Sequence, residues 1–396
     1  MLLDSYRGLP TDAKYLIYSA VLPFAAFGMF YTDLSFFLTS VQGISIPLMG
    51  LIVTVMGIST FAASIPLGVA ADKYGRKRMF IAGNIISSII LAVFALTSNI
   101  AILLVAAVAE GISEAAFAAS ANALLADKAG DERRTSAYSL FGFIQSIAFG
   151  AGSLMIPLTM VFNSSGMTNQ GAHVLLYVIL AILSLFSTLF MLRIDEPRRV
   201  KRHGVNWKKM LPHKSKDPLS RYVISSGLIA FGAGLVVPLM AAWFGLRYGI
   251  SDTVSGPLLG IASVVTGLAM LAGPSFAKRA GLVKAVTITQ GLSTVFMFII
   301  PLSPGYVLAG FSYTFRSVMM NIAAPLEQSV IMGIVIEDER GAASGINSAV
   351  WSLPNSLSSF IGAYLMALGF LAVPFFLSGI FYIVSIALFW FFFRDT

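Results

Sequence analysis

The chain has 396 residues, 57% of them hydrophobic and 11% charged, with a mean hydropathy of +0.85. That composition excludes a soluble domain whose polar surface faces water. The formal charge of +8 is dispersed between apolar segments, which fits anionic lipid headgroups and excludes a nucleic-acid-binding patch. The lack of cysteine excludes disulfides and thiolate metal sites.

In chain order, apolar stretches predict helices over 15–41, 45–71, 79–98, 100–126, 135–162, 172–193, 221–248, 252–277, 283–301, 305–336, 341–367 and 371–393. A helix of about 20 apolar residues spans the hydrocarbon core, so the fold class is an all-α polytopic membrane protein with twelve transmembrane helices. Asp4, Arg7, Asp12 and Lys14 precede the first helix, whose apolar run is too long for a signal-peptide core, so this helix is expected to stay attached.

Basic residues mark the sides of the membrane. They precede helix 1 (Arg7, Lys14), follow helix 2 (Lys73, Arg76, Lys77, Arg78) and helix 4 (Lys128, Arg133, Arg134), and crowd the stretch from Arg193 to Arg221. Lys278, Arg279 and Lys284 follow helix 8, Arg340 follows helix 10 and Arg394 follows helix 12. Of 26 lysines and arginines, only Arg247 and Arg316 fall elsewhere. Because cytoplasmic loops retain Lys and Arg, both termini are expected in the cytoplasm, with the chain in a plasma (inner) membrane.

The gap 194–220 is too charged to cross a membrane and divides six helices (1–193) from six (221–396). Lys14, Tyr15, Ile17 and Ser19 recur as Arg221, Tyr222, Ile224 and Ser226, and Asp131, Glu132 and Arg133 recur as Asp338, Glu339 and Arg340. Both matches have one offset and the same topological position, which argues for duplication into two pseudo-symmetric six-helix bundles.

After helix 2 the chain reads Gly68, Val69, Ala70, Ala71, Asp72, Lys73, Tyr74, Gly75, Arg76, Lys77, Arg78. A positive-inside loop accounts for the bases but not for the Gly, Asp, Gly spacing, which suits close helix approach, a tight turn and a capped or paired helix end. With twelve helices and a 6+6 repeat, the chain resembles the major facilitator superfamily over essentially its whole length. The resemblance implies two bundles rocking about a central site, with Gly68, Asp72, Gly75, Arg76 and Lys77 in a cytoplasmic latch between them. In the second half Lys278, Arg279 and Gly281 persist without an acid, so a second latch is not expected. The family's proton-driven members often carry an Arg where this chain has Ala107. Its antiporters often carry a Gly-Pro pair in helix 5, where this chain has Gly142, Gly150, Gly152 and a separate Pro157.

Charges at bilayer depth are rare and face partners or wet cavities. Glu110 and Glu114 lie four apart on helix 4 and share a face. Arg316 on helix 10 is at similar depth, and the resemblance makes helices 4 and 10 face each other, so an ion pair of Arg316 with Glu110 or Glu114 is expected. Asp33 on helix 1 sits among Phe30, Tyr31, Phe36 and Phe37, as a proton carrier, or as a residue that faces the extracellular vestibule or pairs with Arg247. Glu327 returns to nearly the same face as Arg316 three turns deeper, as a proton site or inner-gate residue. The histidines (His173, His203, His213) fall in or beside the expected loops, which excludes a histidine relay within the membrane.

Candidates for a substrate cavity are Phe27 and Tyr31 on helix 1, Trp243 on helix 7, Asn321 on helix 10, and Asn347, Trp351 and Asn355 on helix 11. Gly256 with Gly260 and Gly341 with Gly345 suit close helix packing. No nucleotide loop, metal cluster or nucleophile arrangement supports an enzyme, and neither a cofactor nor a metal is expected. The expected function is secondary active transport of a small organic solute by a monomer, coupled to protons. Four acids within the helices against one Arg favour export of amphipathic or cationic compounds. The alternatives are proton-coupled uptake of an organic anion bound by Arg316, a gradient-independent facilitator, and a non-transporting receptor of the same fold.

Overall fold

A backbone inside hydrocarbon has no water to satisfy its N–H and C=O groups, so each apolar stretch must close its hydrogen bonds on itself as helix. The computed structural model describes residues 8–129, 134–194, 215–270, 281–335 and 340–394. It is 88% helical, with no strand among the described residues.

The helices are α1 (Thr11–Phe36), α2 (Ile46–Tyr74), α3 (Arg76–Leu96), α4 (Ile100–Ala129), α5 (Arg134–Ser153) and α6 (Asn169–Phe186). They continue as α7 (Lys216–Gly234), α8 (Asp252–Met270), α9 (Leu282–Leu302), α10 (Tyr306–Ile334), α11 (Arg340–Ala367) and α12 (Val373–Phe393). A π-helical turn, Phe37–Val41, prolongs α1. Leu158–Ser164 resumes α5 after Pro157, and Met240–Tyr248 resumes α7 after a tight turn over Val237–Leu239 that contains Pro238. Both breaks sit at a proline, which has no N–H for the preceding turn and crowds it.

Ten described stretches are long and apolar enough to cross a membrane by length and composition. α10 and α11 have comparable length, 29 and 28 residues, with Arg316, Asn321 and Glu327 interrupting the first and Asn347 and Asn355 the second. Large apolar side chains such as Leu96, Val105, Met160 and Phe391 are mostly exposed, as lipid solvation allows and water would not.

Two compact units emerge. One holds Met1–Ile44, Ile58–His203 and Ser251–Gly260; the other holds Ser45–Gly57, Gly204–Ile250 and Ile261–Thr396. Their borders depart from a plain cut at the linker, since the first turns of α2 associate with α11 and those of α8 with α5. Close approach is the cause: a Cβ on Gly50 would lie 2.4 Å from the Ala363 side chain, and one on Gly260 would lie 2.9 Å from the Gly150 carbonyl oxygen. Gly256 likewise meets Ile156, so its expected packing role with Gly260 is realised against α5. The surroundings of Gly341 and Gly345 fall outside the described set.

Duplication is visible in the packing. In the first unit α1 packs on α5 and α6, and α3 packs on α4 and α6. In the second, α7 packs on α11 and α12, and α9 packs on α10 and α12. The same atoms make the seam in both. Ser153 Oγ donates to the Gly28 carbonyl at 2.9 Å, and Ser359 Oγ, 206 residues on, donates to the Gly234 carbonyl at 3.1 Å. Gly75 and Gly281 open α3 and α9 with φ of 109° and 84°, a left-handed conformation that a side chain would resist.

Candidate functional site

The first unit holds the paired acids. Glu110 is 0% exposed and accepts a hydrogen bond from Ser87 Oγ of α3 at 2.9 Å. One turn on, Glu114 is half-buried, and its Oε2 accepts from Tyr31 Oη of α1 at 3.0 Å and from Thr60 Oγ1 of α2 at 3.1 Å. Aromatic rings stand beside it: Phe27 lies 6.1 Å from Tyr31 and 5.8 Å from Phe117 between centroids. Phe27 itself is buried in the core of the unit, so Tyr31, partly exposed, is the member of that expected pair with free surface.

The second unit holds the cation. Arg316 is 4% exposed, donates through Nη2 to Tyr382 Oη of α12 and lies 5.5 Å from that ring's centroid. Its Nε has no hydrogen-bond partner, and among the described residues no carboxylate of its own unit is within ion-pair distance. Glu327 accepts from Ser226 Oγ of α7 and from Gln290 Nε2 of α9, the latter at 3.1 Å. Arg316, Glu110 and Glu114 are thus each held by partners of their own unit.

The expected cavity residues separate on inspection. Trp243 has no exposed surface; it donates to the Leu371 carbonyl at 2.9 Å and packs on Phe375, so its cavity assignment is corrected to a packing role. An indole with its N–H satisfied fills the space where helix 7 restarts after Pro238. Asn321 donates to the Ser317 carbonyl of its own helix, and Asn355 to the Ala230 carbonyl of α7 at 3.3 Å. Trp351 is 47% exposed. The side chain of Asn347 lies outside the described set.

Around the glycine-aspartate motif, Arg76 Nη1 bonds the Ala123 carbonyl at 2.9 Å and Asp127 at 2.7 Å, both near the end of α4. Lys77 Nζ bonds the Leu192 and Ile194 carbonyls at 3.0 and 2.7 Å, where the sixth span ends. Cations placed on the last carbonyls of a helix complement its dipole. Among the described residues, nothing lies within 4 Å of a Cβ built on Gly68. The Asp72 side chain is outside the described set.

A third group was not foreseen. Asp33, His173 and Asp252 converge in the first unit, all buried. The His173 Nε2 atom is 2.8 Å from Asp252 Oδ2 and 3.9 Å from Asp33 Oδ2, and Tyr177 Oη donates to Asp33 Oδ2 at 3.2 Å. Two expectations are corrected by this. His173 is no loop residue, because α6 starts at Asn169, capped by Thr168 Oγ1 at 3.1 Å, and so carries the imidazole inside the bundle. Asp33 is 1% exposed, which rules out a vestibule position, while Arg247 is exposed and stacks over Tyr248. Only the start of helix 6 could have signalled His173 in the sequence; nothing local signals Asp252.

The sequence model of the Major Facilitator Superfamily matches residues 16–321. The chain is 22% identical over 351 residues to Multidrug resistance protein 2 of Bacillus subtilis (strain 168), covering 86% of this chain and 85% of that protein. It is 28% identical over 134 residues to the uncharacterized MFS-type transporter YqjV of the same strain, spanning about a third, 33%, of that protein's length. Among solved structures, a point variant of the nucleoside transporter NupG superposes with a TM-score of 0.80 at 16% identity, over 97% of this chain and 100% of that one. A D-xylose-proton symporter superposes with a TM-score of 0.76 at 16% identity, over 96% and 97%. At such identities the structural likeness shows the fold.

Proposed function

The chain belongs to the major facilitator superfamily, and on that premise we propose that it is a proton-coupled secondary transporter that exports amphipathic or cationic organic solutes by alternating access. The observation that carries this reading is Glu114. It is an acid with surface left free in an aromatic setting, held by hydroxyls of α1 and α2 and accompanied by the sealed Glu110. A carboxyl group at bilayer depth is costly as an anion and favours either a proton or a cationic ligand, and exchange between the two couples solute to proton. Similarity to a protein named for multidrug resistance supports the same solute class. Glu327, bonded to a hydroxyl and an amide, is the proposed second proton site. Asp33 is left out of this set because its carboxylate is engaged by Tyr177 and faces His173.

The two units would rock as the six-helix bundles of a monomer, with the Gly68–Lys77 motif at the cytoplasmic ends and both termini in the cytoplasm of a plasma membrane, as the distribution of basic residues supports. Arg316 is proposed to pair with Glu110 or Glu114 in one state of the cycle. No chemical conversion and no cofactor is proposed.

A second reading rests on the same Arg316. A buried guanidinium with Nε unbonded, and with no carboxylate of its own unit within ion-pair distance among the described residues, suits an organic anion taken up with protons. Thermal unfolding of the purified protein with lipophilic cations and with organic carboxylates separates the two, since a ligand of the folded state raises its stability. Stabilisation by cations that vanishes in Glu114→Gln supports export. Stabilisation by carboxylates that vanishes in Arg316→Gln replaces it with anion uptake.

A further inference from the structure

Asp33 comes from α1, His173 from α6 and Asp252 from the first position of α8, so three helices meet in one sealed polar cluster. One nitrogen and one oxygen from each carboxylate lie within 4.8 Å of one another. Donors around a divalent ion at about 2.0–2.2 Å stand roughly 3–4 Å apart, so small side-chain shifts bring this set onto a single centre.

Two further observations point to a ligand. The Oδ1 atom of Asp33 is buried with no hydrogen-bond partner, which a buried carboxyl oxygen does not tolerate cheaply. The second concerns the imidazole. His173 Nδ1 is 2.8 Å from the Asn169 carbonyl, which can only accept, so Nδ1 carries the hydrogen and Nε2 is the atom turned to both carboxylates. A ring nitrogen fixed through its opposite N–H to a backbone carbonyl is the usual support of a metal-ligating histidine. Tyr177 Oη gives Asp33 the corresponding support, and Phe37, stacked on the imidazole at 5.4 Å, closes one side against water.

We propose that Asp33, His173 and Asp252 form a binding site for one divalent transition-metal ion of the zinc class. One imidazole nitrogen and carboxylate oxygens are a donor set for Zn2+ and its neighbours rather than for Ca2+, which takes six to eight oxygens. Two carboxylates and a neutral imidazole carry two negative charges, which a divalent ion cancels. Binding releases to solvent the proton that otherwise lies between Nε2 and Asp252 Oδ2, the ion takes its place, and the free Asp33 Oδ1 supplies a fourth donor. Bound there, it fixes the first turn of α8 on α1 and α6. Glu110, Glu114 and Arg316 take no part, so the site stands or falls separately from the transport reading.

The test uses the purified full chain, stripped with a chelator and titrated with Co2+, whose visible absorption reports its ligands. Wild type and Glu114→Gln are expected to bind one Co2+ per chain with a tetrahedral spectrum, displaced by Zn2+. His173→Gln and Asp252→Asn, if helical and monodisperse, should lose that spectrum, and Tyr177→Phe should keep it with about 10–100-fold weaker affinity. If His173→Gln and Asp252→Asn misfold, Tyr177→Phe still tests the site, because an affinity unchanged by it contradicts the support role. No spectral change in wild type, or an unchanged spectrum in folded His173→Gln, overturns the site and leaves a plain Asp–His–Asp hydrogen-bonded cluster.

Discussion

At the scale of single residues, exposure separates the acids and aromatics that sequence position alone placed together. Glu114 keeps free surface while Glu110 has none, and Tyr31 reaches Glu114 while Trp243 is sealed in packing. Removing the Tyr31 hydroxyl takes away one donor worth about 0.5–1.5 kcal/mol, so Tyr31→Phe should weaken cation-induced stabilisation by up to about tenfold in apparent affinity. Binding unchanged by Tyr31→Phe would remove this hydroxyl from the site. Trp243→Phe should act differently. It leaves the Leu371 carbonyl without its donor, lowering thermal stability at a cost of about 1–3 kcal/mol, while ligand affinity stays at the wild-type value. The intramembrane acids and Arg316 were legible in the sequence because charge in an apolar helix stands out. His173 was not, because an estimate of the helix 6 start at residue 172 put it on an edge, whereas capping by Thr168 starts the helix a turn earlier. Asp252 reaches Asp33 and His173 only through tertiary packing, which no local pattern encodes.

At the scale of elements, glycine seams hold each unit together. A Cβ on Gly28 would stand 1.9 Å from the Phe149 carbonyl oxygen and one on Gly152 1.8 Å from that of Ala25, while Gly234 makes the matching approach to Asn355 and Gly362 a further one to Leu235. The neighbours are backbone atoms, which cannot rotate away. Gly28→Val and Gly234→Val should each destabilise the protein by at least the 1–3 kcal/mol typical of overpacking, read as a lowered unfolding temperature. Wild-type stability in both would refute the seam. The helix positions were largely legible because bilayer thickness sets their length. The breaks after Ser153 and Gly234 and the π-turn after Phe36 were not, since an apolar run reads the same through a break. The repeat was legible in two short matches at one offset, and the shared Ser–Gly bonds extend it to Gly28 and Ser153, whose counterparts lie 206 residues on.

At the scale of the whole molecule, the arrangement of basic residues and the membrane orientation are one claim. Since the chain has no cysteine, single substitutions give a clean readout. Ser98→Cys should react with a membrane-impermeant maleimide applied outside intact cells, and Asp217→Cys only after the membrane is opened. The reverse pattern would invert the topology. The coupling claim is tested most directly by flux of a lipophilic cation in proteoliposomes with and without an imposed pH gradient, comparing wild type, Glu114→Gln and Trp243→Phe. Export by proton exchange predicts gradient-driven movement in wild type and Trp243→Phe and its loss in Glu114→Gln. Equal flux in all three, or flux indifferent to the gradient, would contradict it.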